Sequence, residues 1–132
     1  SGTTALLYAA INGHPTVVQR LLDCGAAVDL ANEIRRTALM YAAQGGHTPV
    51  MERLIDSGAA VDLMDKDSCT ALHHAAWHGK MPEVKLLLER GADTSIRNKE
   101  ADTAAGLAKR NKHPEIAKFI KGWKKSFIKR MF

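Results

Sequence analysis

Threonines at positions 4, 37, 70 and 103 each open a similar stretch, and the interval between them is 33 residues every time. The second copy, Thr37–Gly58, reads TALMYAAQGGHTPVMERLIDSG. Upstream, Thr4–Gly25 reads TALLYAAINGHPTVVQRLLDCG, and downstream, Thr70–Gly91 reads TALHHAAWHGKMPEVKLLLERG. A fainter fourth copy starts at Thr103, TAAGLAKRNKHPEIAKFIKG. A period of this length, kept without insertion, restricts the chain to a solenoid that stacks one supersecondary unit on the next. Each unit touches only its neighbours, so stability must be spread along the array.

Every copy carries the marks of two helices. The threonine is a good N-cap, its hydroxyl accepting from a free backbone N–H of the first turn. The paired alanines Ala9-Ala10, Ala42-Ala43 and Ala75-Ala76 let neighbouring first helices approach closely. Gly13, Gly46 and Gly79 end those helices in a left-handed conformation. A second helix opens near Pro15, Pro49, Pro82 or Pro114, where a missing N–H costs little. Its apolar residues, Val17, Val18, Leu21 and Leu22 in one copy and Val50, Met51, Leu54 and Ile55 in the next, fall three and four apart. That spacing predicts one buried stripe. Gly25, Gly58 and Gly91 stop the second helix, and a G-A-x-V-D run leads to the following copy.

Taken together, the T-x-L-x-x-A-A-x-x-G-H run, the apolar helix and G-A-x-V-D resemble the ankyrin repeat, from about Thr4 to Ile120. The resemblance implies an all-α, ankyrin-repeat solenoid of helix-turn-helix repeats joined by β-hairpin-like loops. Residues 1–121 are expected to form the array, with repeats at about 1–32, 33–65, 66–98 and 99–121, and residues 122–132 a basic amphipathic extension that caps it, the alternatives being a linker into a further domain or a membrane- or calmodulin-type binding segment. Departures from the family pattern cluster in the turns. Arg35, Ser68 and Ala101 stand where the family places a glycine, so distorted or partner-shaped hairpin tips are expected, Arg35 foremost. Alanines 5, 38, 71 and 104 replace the proline after the threonine, and Arg20 and Arg53 replace aliphatic residues, their stems covering apolar surface while the heads stay wet.

The two ends differ from the middle. The first copy is apolar at Leu6, Leu7, Val17 and Val18 rather than polar, as a cap should be. With Ser1-Gly2 read as a cloning remnant, this predicts an excised piece whose parent continues upstream. In the fourth copy Gly106 and Lys121 break the apolar pattern, which reads as a C-terminal cap. Ile116, Ile120, Trp123, Phe127 and Met131 recur at three and four, so the last helix continues or a short one is added, with Gly122 as the expected break.

Composition narrows the function classes. Hydrophobic residues make up 45% and charged residues 25% of the chain, close to globular averages. No run of about 18 apolar residues exists to span a membrane, and no secretory signal pattern appears. Cys24 and Cys69 occupy different phases of the repeat and are expected to be free thiols in a reducing compartment. An intracellular location, cytoplasmic or nuclear, follows as an expectation. The net charge of +5 is uneven: residues 97–132 carry eleven Lys/Arg against three Asp/Glu, whereas the preceding residues are slightly acidic.

No catalytic constellation stands out. The glycines end helices instead of following strands, so they make no phosphate loop, and neither a G-x-S-x-G elbow nor HExxH occurs. An enzyme is not expected, and no cofactor is implied. His14, His47 and His73 match structural histidines of the family. His74 and His78, four apart on one helix, could face one metal ion, but no cysteine or carboxylate clearly completes the shell.

Binding is the remaining class. The resemblance implies a concave groove made of hairpin tips and first helices. Mapped phase by phase, its residues are Ile34, Arg36, Tyr41 and Gln44 in the second copy, then Met64, Lys66, Cys69, His74, Trp77 and His78, then Arg97, Lys99 and Arg110. Such a mixture of aromatic, methionine and arginine side chains matches interface centres. Trp77 is the expected anchor, against the blander reading that it leans on its neighbours. The implied function is a scaffold or adaptor for a protein or peptide partner, in a monomeric fragment of a longer chain. The alternative is nucleic-acid or anionic-membrane binding through the basic tail, where residues 121–132 hold five basic side chains and no acid.

Overall fold

The structure, a computed structural model, describes residues 4–131, with side chains described as far as Trp123. Eight helices follow in order: α1 (Ala5–Ile11), α2 (Pro15–Asp23), α3 (Ala38–Gly45), α4 (Thr48–Asp56), α5 (Ala71–Trp77), α6 (Met81–Glu89), α7 (Ala104–Arg110) and α8 (Pro114–Met131). Among the described residues there is no strand. The first helices α1, α3, α5 and α7 pack in one row and the second helices α2, α4, α6 and α8 in another.

The start of each first helix is set by its threonine. Thr4, Thr37, Thr70 and Thr103 adopt extended backbone, and their hydroxyls accept from the N–H of Leu7, Met40, His73 and Gly106 at 3.2–3.4 Å. The ends are set by left-handed residues. Gly13 has φ 70°, and a Cβ there would meet the His47 ring at 2.5 Å, so conformation and space both demand glycine. His47 fills that space and donates from Nε2 to the Ile11 carbonyl at 3.1 Å, linking the second copy to the first. In the fourth copy Lys112 holds the same left-handed position at φ 65° without being glycine.

The core runs between the two rows. Ala9, Ala10, Ala42, Ala43, Ala75 and Ala76 are all buried, so the first helices meet over small side chains. Leu7, Met40, Met51, Leu54, Leu87 and Ile120 supply the volume between them. At the phase of Leu7 and Met40 the third copy has His73, equally buried. Its ring is satisfied at both nitrogens: Nδ1 accepts from the Thr70 N–H at 3.1 Å, and Nε2 donates to the Asp102 carbonyl at 3.0 Å. That second bond ties the third copy to the fourth.

Three sequence expectations change. Val17, expected in the buried stripe, is 47% exposed, because among the described residues no helix lies against the outer side of α2, whereas its counterpart Val50 is sealed between α2 and α6. Gly122 does not break the last helix, and α8 runs through it to Met131, so the boundary expected at 121/122 falls inside a helix. The phase at which Gly25, Gly58 and Gly91 stop the other second helices holds Lys124 instead. Phe127, expected with Trp123 to shield the last repeat, has a side chain outside the described residues. Trp123 does pack against the core beside Phe119, their ring centroids 6.2 Å apart.

The hairpin tips, expected to be distorted, are instead alike. Arg35, Ser68 and Ala101 take φ 62°, 60° and 63°, the conformation glycine would adopt. Each tip is closed by the same pair of backbone bonds, as in Arg35 N–H to Asn32 carbonyl (2.9 Å) and Asn32 N–H to Arg36 carbonyl (3.1 Å). Successive tips are joined by one backbone bond each, Lys66 N–H to Ile34 carbonyl at 3.0 Å and Lys99 N–H to Asp67 carbonyl at 2.9 Å.

Candidate functional site

What holds the tips open toward the first helices is a row of side chains at the tip base: Asn32, Asp65 and Asn98, again 33 apart. In each, Oδ1 accepts two backbone N–H groups of its own tip. Asn32 takes those of Ile34 and Arg36, Asp65 those of Asp67 and Cys69, and Asn98 those of Glu100 and Asp102, all at 2.9–3.2 Å. The remaining side-chain atom braces the tip against a neighbour. Asn32 donates to the Tyr41 hydroxyl at 2.8 Å, Asp65 accepts from His74 Nε2 at 2.8 Å, and Asn98 turns to Cys69 Sγ at 3.5 Å. The sequence reading missed this row, although its own signal, an Asx five residues before each threonine of the last three copies, is present.

Asp65 is the charged member and is 4% exposed. Burial pushes its carboxyl pKa up, yet the Cys69 N–H, the His74 ring and the Asp67 N–H together hold it below the usual carboxylate value. Arg36 adds a longer contact, Nε to Oδ2 at 3.5 Å, and lays its guanidinium 5.9 Å from the centre of the Tyr41 ring. Burial lowers the His74 pKa, with the nearby Arg36 guanidinium acting in the same direction and Asp65 opposing it. The neutral ring therefore donates from Nε2 to an ionised carboxylate.

Beside this brace lies a concavity of about 290 Å³ lined by Arg36, Asp67, Cys69, His73, His74, Trp77, His78, Asn98, Lys99, Glu100, Leu107 and Arg110. It brings together seven of the residues named from sequence: Arg36, Cys69, His74, Trp77, His78, Lys99 and Arg110. On its floor Trp77 is 38% exposed while the rest of α5 is buried. The Trp77 carbonyl accepts from Asn111 Nδ2 at 2.6 Å, which fixes the end of α5 against α7. At the rim Arg110 reaches Asp102 at 3.1 Å and Glu100 at 3.4 Å. Burial also raises the Cys69 thiol pKa, so this cysteine is held as the protonated thiol.

The other named residues lie apart. Met64 and Lys66 line a second concavity with Asp29, Glu33 and Leu63, which shares Lys99 with the first. Ile34 is 43% exposed and, with Arg97, belongs to neither concavity. Tyr41 and Gln44 are half-buried, and the Tyr41 hydroxyl is already engaged by Asn32. Zinc geometry is absent at His74 and His78: the first ring is spent on Asp65, and the second donates from Nδ1 to the His74 carbonyl at 2.9 Å. Among the described residues no group of three or more His, Cys, Asp or Glu could hold a metal ion. No helix among them is long and apolar enough to cross a membrane.

Comparison with known proteins adds two findings. A family model described as ankyrin repeats (3 copies) matches residues 6–98 and, shifted along the array, 47–127. A 37-residue stretch is 51% identical to part of the NAD-capped RNA hydrolase NUDT12 of Homo sapiens, and equally to those of Pongo abelii and Macaca fascicularis. That stretch is 28% of this chain and 8% of each relative's length.

Proposed function

The chain belongs to the ankyrin repeat family, whose members are in general protein–protein interaction modules and typically not enzymes; on that premise we propose that it is a scaffold or adaptor module binding a protein or peptide through its concave groove. The observation that carries this reading is the exposed indole of Trp77, seated on a braced floor between two tips and ringed by Arg36, Lys99 and Arg110. An aromatic anchor with arginines around it is the pattern of an energetic centre in an interface. The groove is also rigid before binding, since Asp65 and Asn98 fix the tips that wall it, and preorganisation of this kind lowers the entropic cost of association. The hydrolase activity of the NUDT12 relatives is not carried over, because so little of those proteins is matched.

The test separates groove from core. With a partner recovered by affinity capture, Trp77→Ala should weaken binding by more than about 2 kcal/mol and leave the fold intact. Leu54→Ala, at a fully buried position, should instead cost about 2–5 kcal/mol of stability. A melting temperature for Trp77→Ala as low as that of Leu54→Ala would assign the indole to packing and remove the proposal.

A further inference from the structure

The side of the array formed by the second helices changes character at its last step. Between α2 and α4 the surface is closed by Arg53, which donates to Gln19 Oε1 at 3.3 Å. Between α4 and α6 it is closed by Arg90, paired with Asp56 at 2.8 Å. Between α6 and α8 no such polar rung exists among the described residues. Phe119 takes the phase of Arg53 and Trp123 that of Arg90, so Glu89, at the phase of Asp56, has no guanidinium to pair with in that rung. The result is an open groove of about 790 Å³ whose walls are Met81, Phe119 and Trp123, with Gly122 leaving its floor bare.

The charges around it have one dominant sign. Lys85 stands over the Phe119 ring, Nζ to centroid 5.4 Å, and Lys118 lines the opposite flank. Glu115 is the acid among the lining residues. Its α8 wall belongs to residues 97–132, which carry eleven Lys/Arg against three Asp/Glu. An apolar trough rimmed by lysines complements a helix that presents leucines on one face and carboxylates beside them, the helix-in-groove mode of recognition. A flat lipid surface fits less well, because the aromatic rings line a depression between two helices instead of protruding.

We propose that the groove between α6 and α8, built on Met81, Phe119 and Trp123 and flanked by Lys85 and Lys118, is a second docking surface, for an acidic amphipathic helix of a partner protein. It is separate from the concave groove and does not depend on it.

The probe is a labelled synthetic peptide with leucines at i, i+3, i+4 and i+7 and glutamates elsewhere. Its scrambled isomer and vesicles of phosphatidylserine and phosphatidylcholine serve as the comparison arms. The patterned peptide should bind saturably, and affinity should fall about tenfold or more in Trp123→Arg, which restores the residue type found at Arg90. Lys85→Glu, an exposed change that leaves the core untouched, should weaken binding by a similar factor, while Trp77→Ala should have no effect. Circular dichroism melts report whether each variant is folded. Equal binding of the scrambled peptide, indifference to both Lys85→Glu and Trp123→Arg, or capture by the anionic vesicles with no peptide binding would each overturn the proposal.

Discussion

Replacing Asp65 by alanine should be among the most damaging single changes in this protein, although the residue lies at the base of a surface tip. The side chain accepts from two backbone N–H groups and from one buried imidazole, and it is itself almost completely enclosed. A hydrogen bond to a charged acceptor contributes about 1.5–3 kcal/mol net, and a buried donor left without a partner carries its full desolvation cost. The three are not equivalent. Asp67 is exposed and its N–H can turn to water, Cys69 is half-buried, and His74 is 7% exposed. Discounting the first gives a loss of about 3–5 kcal/mol, a large share of the roughly 5–15 kcal/mol that stabilises a domain. For a chain of this size that corresponds to a fall in Tm of roughly 12–20 °C. Asp65→Asn is the informative control, because Asn32 and Asn98 do the same work in the neighbouring tips. It keeps the two backbone bonds and disturbs the His74 contact, for a cost of about 1 kcal/mol. Urea titrations followed by circular dichroism give both numbers, and amide exchange at Cys69 should accelerate in the alanine variant alone. If alanine is tolerated as well as asparagine, the tip row is not what holds these loops.

Stability should decline as the solution is acidified. His73 and His74 are both held below the imidazole value of 6.5, in each case chiefly by burial. As pH falls through 6.5 the unfolded chain therefore takes up protons that the folded one refuses, and Asp65 adds to the loss below its unfolded value of 3.8; a urea midpoint flat across this range would contradict the assignment. Residues 1–58 alone lack the neighbours that bury α3 and α4 and should be largely unfolded by circular dichroism, whereas a cooperative melt of that fragment would refute nearest-neighbour stacking. Truncation after Gly122 removes Trp123 from the end of the core and should lower Tm while raising the binding of a hydrophobic dye. An unchanged melt with loss of sedimentation on anionic vesicles would give the tail to membranes instead.

The sequence carries the repeat because helix starts and stops are local events. A threonine that caps and a glycine that takes positive φ act within four residues of themselves, so α1 to α7 are legible one copy at a time. Exposure is different. Val17 and Val50 share a phase, yet one is open and the other sealed, because burial depends on what lies opposite and not on the residue's own helix. Gly122 misleads for a related reason. A glycine inside a helix costs only about 1 kcal/mol relative to alanine, and it ends a helix only where the chain needs the left-handed turn. The tip row went unread because side-chain bonds to nearby backbone leave no hydropathy pattern. Of the residues that the family resemblance maps to the groove, Trp77 and Arg110 do line the concavity. Tyr41, mapped in the same way, does not, and nothing in its phase announces that Asn32 occupies its hydroxyl.

Within each tip, the donors that Asn32, Asp65 and Asn98 grip are main-chain N–H groups, which every amino acid except proline possesses. The loops they support are therefore indifferent to their own side chains at Ile34, Asp67 and Glu100, and these three positions already differ in size and charge while the backbone repeats. Such an arrangement separates inheritance of shape from inheritance of specificity. Mutational drift at the tips can explore new surfaces without first finding a compensating change beneath. A library randomised at those positions, with proline withheld, should retain folding in most of its members, and the array would serve as raw material for selecting new binders.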